Sequence, residues 1–214
     1  MKNKIWRLEY TITLFILFGA ILILLPVSIT QTSQARLISR WNEQYNRADY
    51  MFTVIKANID EDTERTFEQA KGDEDRNLLA IQLIQPYLRI DTSKKVSKFY
   101  KIRYMDKSKV LKGQEYYFDN LHYMEKNIIV GIKNVKTENK NLPVYKMMFD
   151  LNGKRPPNTW GKDIFGIDVY SDSTIKPFGE GLSMDALEKD CSSEGSGVTC
   201  SYYYKIGGAF DEKI

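Results

Sequence analysis

The sequence has few of the residue types that most catalytic and metal sites need. Among its 214 residues it has one histidine, His122, and two cysteines, Cys191 and Cys200. A tetrahedral zinc site takes four ligands, most often cysteine and histidine, so these three residues do not complete one. Ser-His-Asp or Cys-His catalysis needs a base that is held by a third group, and no nucleophile motif lies near His122. The sequence therefore predicts a non-enzymatic protein with neither a metal site nor a cofactor.

A strong excess of charge of one sign is also missing. The formal net charge is +3, and Lys2, Lys4 and Arg7 contribute to it at the N-terminus. Outside this basic tip the acidic and basic side chains nearly balance, so there is no electrostatic case for nucleic acid as a partner.

Charged side chains are absent from Tyr10 to Ala35. About 20 mostly apolar residues in a helix cross a bilayer, so the sequence predicts a transmembrane helix over residues 10–30. The basic tip, residues 1–9, would stay in the cytoplasm, and residues 31–214 would form an exported domain. The expected location is the inner or cytoplasmic membrane, single-pass, with the C-terminal domain periplasmic or extracellular. A signal peptide cut near Ser33-Gln34-Ala35 is the alternative, although its apolar region would be longer than usual.

No glycine or proline interrupts the segment from Gln31 to Lys71, so the helix is expected to continue into the domain. Apolar residues then recur in steps of three and four, which predicts one packing stripe. The stripe consists of Ile38, Trp41, Tyr45, Ala48, Phe52, Ile55 and Ile59.

The remainder of the chain predicts a second helix followed by strands. The helix is expected from Asp73 to Ile84, with Pro86 closing it. Asn152-Gly153 suits a tight hairpin turn, and Tyr202 to Tyr204 reads as a strand. The other predicted strands are Phe99–Tyr104, Tyr116–Phe118, Asn127–Ile132, Val144–Leu151, Asp163–Tyr170 and Thr174–Phe178. This order gives an α+β fold, with a long N-terminal membrane-spanning helix packed on a small antiparallel sheet.

The two cysteines lie nine residues apart in a segment that is rich in serine and glycine. In an oxidising compartment this spacing favours a Cys191–Cys200 disulfide that closes a small loop. Two free thiols, or half of a zinc site, are the alternatives.

Two features near the N-terminus lead to a family. Glu9 stands at the start of the apolar segment, and Pro26 follows it by seventeen residues. With the order of long helix and then sheet, this arrangement resembles type IV pilins and type II secretion pseudopilins. The resemblance implies that Glu9 meets the N-terminal amine of a neighbouring subunit, and that Pro26 bends the helix. Taken without the family, Glu9 is an interfacial carboxylate that reaches water or pairs with Arg7.

The C-terminal part carries the resemblance too. The runs Phe149–Lys154 and Pro157–Phe165 follow the pattern D-x-N-G and P-N-x-x-G-K-D that recurs in pilin-like proteins, and the cysteine loop is similar to theirs. The sequence departs from the family at Lys4, where the processing peptidase expects glycine, with Ile5 as the first mature residue. This departure fits a minor or atypical member.

The resemblance implies a non-catalytic assembly subunit of a pilus or secretion pseudopilus. Its partners would be the membrane, other pilin-like subunits and assembly platform proteins. The alternative is a bitopic, membrane-anchored extracellular domain that binds a ligand or partner without polymerising. Some family members bind calcium near the C-terminal loops, but a plain hairpin explains the turn residues with side-chain oxygen atoms here. Those residues are Asp150, Asn152, Asp163, Asp168 and Asp172.

Overall fold

The computed structural model describes residues 2–59, 69–70, 72–97, 99–137, 139 and 141–209, without the side chains of residues 2–9, 22–33 and 95. The chain divides into two compact units, one that ends at Arg36 and one that begins at Leu37. The helices are α1 (Lys2–Asn58), α2 (Asp73–Leu88), α3 (Met184–Asp190) and α4 (Cys200–Tyr203). The strands are β1 (Asp91–Lys95), β2 (Leu121–Tyr123), β3 (Ile129–Asn134), β4 (Tyr145–Asp150), β5 (Ile164–Val169) and β6 (Ile175–Pro177).

The six strands form one antiparallel sheet in chain order, β1 to β6. The strand β4 pairs along its whole length with β3 and with β5, and in the second pair Asp150 lies opposite Ile164 and Tyr145 lies opposite Val169. Because side chains alternate across a strand, Met147 and Phe149 face one side of the sheet, and Met148 faces the other. Both sides are buried, which is why these strands are apolar at almost every position.

Two hydrophobic clusters cover the two faces of the sheet. The first joins Trp41 and its neighbours on α1 and Ile84 on α2 to Phe149 and Phe165. The second lies on the opposite face and joins residues 102–118, the 160–164 turn and Phe178. Gly166 lets Phe178 approach, since a Cβ atom there would lie 2.2 Å from its Cε2 atom. The predicted packing stripe is confirmed at five positions that are buried: Trp41, Tyr45, Ala48, Phe52 and Ile55.

The predicted membrane-spanning helix is wrong. Among the described residues, no helix combines the length with the apolar character that crossing a membrane requires. The transmembrane half over residues 10–30 and the single-pass localisation are therefore not supported.

Several local predictions also differ from the structure. Pro86 lies inside α2, which ends instead where Arg89 adopts a left-handed conformation. Residues 99–104 and 116–118 are irregular apart from a bridge at Arg103, and their aromatic side chains other than the exposed Phe99 belong to or pack against the second cluster. Tyr202 and Tyr203 belong to α4, not to a strand. The aromatic content of these segments reflects burial in a core rather than strand geometry.

The connection between β4 and β5 is longer than a two-residue hairpin. Asp150 ends β4 and Ile164 begins β5, so the turn runs from Leu151 to Asp163. Gly153 adopts φ +69°, and a Cβ atom there would lie 2.2 Å from the Asn127 carbonyl oxygen. Glycine is required at this position both for its backbone conformation and for the close approach.

Candidate functional site

The N-terminal turns of α1 present large apolar side chains to solvent. Leu14, Phe15, Ile16 and Leu17 are each between 57% and 76% exposed. Four successive helical residues, spaced by about 100°, point in all directions around the helix axis. A helix that is apolar all round is normally buried against other helices or in another apolar environment. These apolar side chains are therefore expected to be buried against another apolar surface.

The two residues that the resemblance assigns to subunit assembly lie in this same helix. Glu9 and Pro26 are within α1, but their side chains lie outside the described part of the chain. The assembly role of both residues stays a prediction.

The C-terminal part of α1 is tied to the folded domain by a buried tryptophan. Trp41 is fully buried, its Nε1 donates to the Ser201 carbonyl at 2.8 Å, and its ring stacks on Phe165 at 5.2 Å. The Ser201 hydroxyl in turn accepts from the Gly166 N–H and donates to the Val198 carbonyl. The helix, β5 and α4 are thereby joined through buried hydrogen bonds.

Two arginines add polar contacts along α1. Arg40 donates to the Leu151 carbonyl at 3.1 Å, and Arg47 donates to the Tyr87 carbonyl at 2.8 Å. Arg47 also forms an ion pair with Glu125, which lowers the pKa of that carboxyl. Both arginines bond to backbone carbonyls at fixed positions, so these contacts help to set the orientation of this part of α1.

The turn between β4 and β5 holds two fully buried carboxyls. Asp150 accepts from the Tyr100 hydroxyl at 2.5 Å and from the N–H groups of Asn152 and Gly153 at 3.1 and 2.8 Å. Asp163 accepts from the Asn152 side-chain amide at 2.9 Å. It also accepts backbone N–H bonds from residues 158 and 159 at 2.8 and 2.6 Å.

Burial governs the protonation of this pair. Desolvation, followed by the charge of Asp163, raises the pKa of Asp150 to about 8. Desolvation raises the pKa of Asp163 to about 6, against the opposing effect of its hydrogen bonds. Since a low-dielectric site penalises two negative charges, Asp150 is the group that keeps its proton near neutral pH. The motif residues thus form a buried hydrogen-bond network that fixes the conformation of the turn.

The structure brings together only three of the five turn residues that were considered as oxygen ligands. Asp150, Asn152 and Asp163 share the turn, whereas Asp168 binds Lys146 at 2.8 Å and Asp172 accepts from Thr174 in a separate turn. Within the described ranges, no group of three or more histidine, cysteine, aspartate or glutamate side chains is placed to hold a metal ion.

The predicted Cys191–Cys200 disulfide is confirmed, with the two Cα atoms 5.4 Å apart. Asp190, the residue before this loop, also holds it closed. Its carboxylate accepts four hydrogen bonds, from the backbone N–H and hydroxyl of both Ser196 and Thr199, at 2.7–2.9 Å. These donors lower the pKa of Asp190 against the effect of burial. Sequence reasoning missed Asp190, because its donors lie six and nine positions further on, beyond the two-residue reach of an ordinary aspartate turn.

A groove of about 720 Å³ lies beside the second cluster, between residues 96–97, 100–102, 109–112 and 117–122. Lys101, Lys109 and Lys112 are exposed along it, and His122 lies in its wall. The His122 Nε2 atom is 2.8 Å from the Asn120 side-chain oxygen, and burial lowers its pKa. The single histidine is therefore a half-buried residue of β2. Sequence reasoning missed the groove, because the residues that line it are scattered over an irregular segment.

Comparison with known protein families, with curated proteins and with solved structures gives no match for this chain.

Proposed function

We propose that this chain is a non-catalytic assembly subunit of the type IV pilin or type II secretion pseudopilin type, and a minor or atypical one. The observation that carries the proposal is the apolar surface of α1 over Leu14–Leu17, exposed in the single chain. A surface of this kind is stabilised by burial, and neighbouring copies of the same helix offer a matching apolar cover.

The energetics favour association through this segment. Burying one large apolar side chain contributes about 1.5–3 kcal/mol, and four such side chains follow one another here. Part of that gain is offset by the lost freedom of the associating chains. A row of apolar side chains is thus able to support assembly where a single exposed residue is not.

The sequence features of the family support the same proposal. Glu9 and Pro26 keep the family's separation, and the motif from Asp150 to Asp163 forms the turn beside the sheet. The order of a long helix, an antiparallel meander and a disulfide loop agrees with the resemblance. Other pilin-like subunits are the proposed partners.

The proposal is tested by measuring self-association of the whole chain by sedimentation velocity. Phe15→Asp places a charge in the apolar row and is expected to weaken self-association at least tenfold, because tenfold corresponds to about 1.4 kcal/mol. Tyr50→Asp is the matched control, since Tyr50 lies in the same helix and is 70% exposed, against 76% for Phe15. A chain that stays monomeric, or loses association equally in both variants, would overturn the proposal.

Glu9→Gln tests the assembly role that the resemblance gives to this carboxylate. The variant keeps the shape of the side chain and removes its charge, so it should impair incorporation into an assembly without changing the fold. Unchanged incorporation would remove Glu9 from the proposed mechanism.

A further inference from the structure

The groove on the second cluster is built on a short two-stranded ribbon. Arg103 and Lys109 form an antiparallel bridge, and the Val110 N–H donates to the Ile102 carbonyl at 3.1 Å. Side chains alternate along such a ribbon, so Ile102 and Val110 turn inward and are buried. Lys109 and Leu111 consequently turn outward, and Leu111 is 59% exposed.

The groove has an apolar floor and a basic rim. Its floor is made of Ile102, Val110, Phe118 and Leu121, which belong to or pack against the second cluster. Its rim carries three exposed ammonium groups, those of Lys101, Lys109 and Lys112. No ion pair joins any of the three to a carboxylate within the described part of the chain. One acidic side chain, Asp119, lies in the wall, so the groove keeps a positive balance.

We propose that this groove binds an extended acidic peptide segment of a partner protein, with carboxylates on the three lysines and one apolar side chain on the floor. The lysines are complementary to the carboxylates of such a segment, and the apolar floor is complementary to its apolar side chain. The inference does not rest on the assembly role of α1, because the groove involves none of its residues.

The lysines of the rim bind carboxylates and phosphates alike, since an ammonium group acts as a point charge without a preferred planar geometry. Asp119 and the apolar floor therefore decide between the possible ligands. A dense polyanion would also bring charge against Asp119. An anionic glycan would leave the apolar floor without a matching group, whereas an aromatic or aliphatic side chain fills it.

The test uses two probe peptides, acetyl-EEFEE-amide and acetyl-EEGEE-amide, titrated into the whole protein by isothermal calorimetry. We expect the phenylalanine peptide to bind at least tenfold more tightly than the glycine peptide, because only the former fills the floor. Raising the sodium chloride concentration from 50 to 500 mM should weaken its binding, since exposed charge pairs are screened.

Two sets of variants locate the site. The triple variant Lys101→Gln, Lys109→Gln, Lys112→Gln is expected to weaken binding of the phenylalanine peptide at least tenfold. The matched triple control replaces Lys56, Lys176 and Lys189, which are exposed outside the groove, and should bind like the wild type. Leu111→Ser changes an exposed side chain without opening a core, and should weaken only the phenylalanine peptide.

Three results would overturn the proposal. These are equal affinity for both peptides, equal losses in the groove and control triple variants, and tighter binding of inorganic polyphosphate than of the phenylalanine peptide at equal charge. Circular dichroism on each variant confirms that a loss of binding is not a loss of fold.

Discussion

Asp150 and Asp190 are both turn carboxylates that accept several hydrogen bonds, yet the pKa of the first is raised and that of the second is lowered. The difference follows from burial and from neighbouring charge. Asp150 is fully buried and faces the carboxyl of Asp163, whereas Asp190 is partly exposed and receives four donors. The number of donors alone therefore does not decide the protonation state of a turn aspartate.

The raised pKa of Asp150 predicts how stability depends on pH. Its folded pKa of about 8 lies above the ordinary value of 3.8, so the folded state holds the proton more tightly than the unfolded state. The free energy of unfolding should therefore fall as pH rises from about 4 to about 8. Asp150→Asn keeps an acceptor for the two backbone N–H groups and removes the ionisation. We expect this variant to exceed the wild type by roughly 1–3 kcal/mol at pH 8.5, measured by urea unfolding.

The control for this experiment is Asp172→Asn. Asp172 accepts from Thr174 in an exposed turn, and its pKa is lowered. Any contribution from its carboxylate is present at high pH and is lost only as pH falls below the ordinary value near 3.8. If Asp150→Asn is destabilising at pH 8.5 by as much as at pH 5, the account of the buried pair is wrong.

The disulfide loop is an element with two independent closures, the Cys191–Cys200 bond and the four hydrogen bonds to Asp190. Reduction alone is expected to leave the loop closed, because Asp190 still holds Ser196 and Thr199. A short loop of this kind contributes about 2–3 kcal/mol through its disulfide. Asp190→Ala combined with reduction should cost more than the sum of the two separate effects, as measured by urea unfolding.

Amide hydrogen exchange in residues 190–204 measures whether the loop itself opens after reduction. Fast exchange in this segment after reduction of the wild type would show that Asp190 does not close the loop by itself. Loss of protection across the central strands β4 and β5 would show that the loop is coupled to the whole sheet.

The two buried tryptophans give a matched pair at the element scale. Both Trp41 and Trp160 are fully buried, but only Trp41 has a hydrogen bond from its Nε1, to Ser201. No described residue accepts from the Trp160 Nε1. Trp41→Phe should thus leave the Ser201 carbonyl unsatisfied and cost about 1–3 kcal/mol more than Trp160→Phe. Equal losses in urea unfolding would mean that the bond between α1 and α4 adds nothing beyond packing.

The central elements were the most predictable from the sequence. Val144–Leu151 and Asp163–Tyr170 are rich in aromatic and aliphatic residues, and the structure places β4 and β5 inside them. The packing stripe on α1 could also be predicted, because helical spacing of apolar residues indicates which face of a helix is buried. The aromatic runs at 99–104 and 116–118 misled the assignment, since an aromatic residue in an irregular covering segment looks the same as one in a strand.

The candidate sites were less predictable than the fold. The Cys191–Cys200 loop followed from spacing, but the groove depends on residues from 96 to 122 that meet through tertiary contacts. The partners of Asp150 include Tyr100, fifty positions earlier in the chain. Spacing rules reach only residues within a few turns of one another, so contacts of this range lie beyond them.

At the scale of the whole molecule, the two units predict a separation between folding and assembly. The unit that begins at Leu37 contains both hydrophobic clusters, the sheet and the disulfide. A truncated chain that begins at Leu37 should therefore fold with a urea midpoint close to that of the whole chain. The same truncation removes Leu14–Leu17, and with them the apolar row that is proposed to drive association.

Sedimentation velocity on the truncated and whole chains then distinguishes two sources of assembly. If the row on α1 is the surface that copies of the chain share, only the whole chain associates, and Phe15→Asp moves it toward the behaviour of the truncated chain. Association of the truncated chain at the same concentration would place the contact on the folded domain. The folded domain also has exposed apolar side chains, such as Phe99 at 89% and Leu111 at 59%, but among the described residues none of them directly follows another, as they do in the α1 row. Because association strength follows the apolar area that is buried, the α1 row is the expected site.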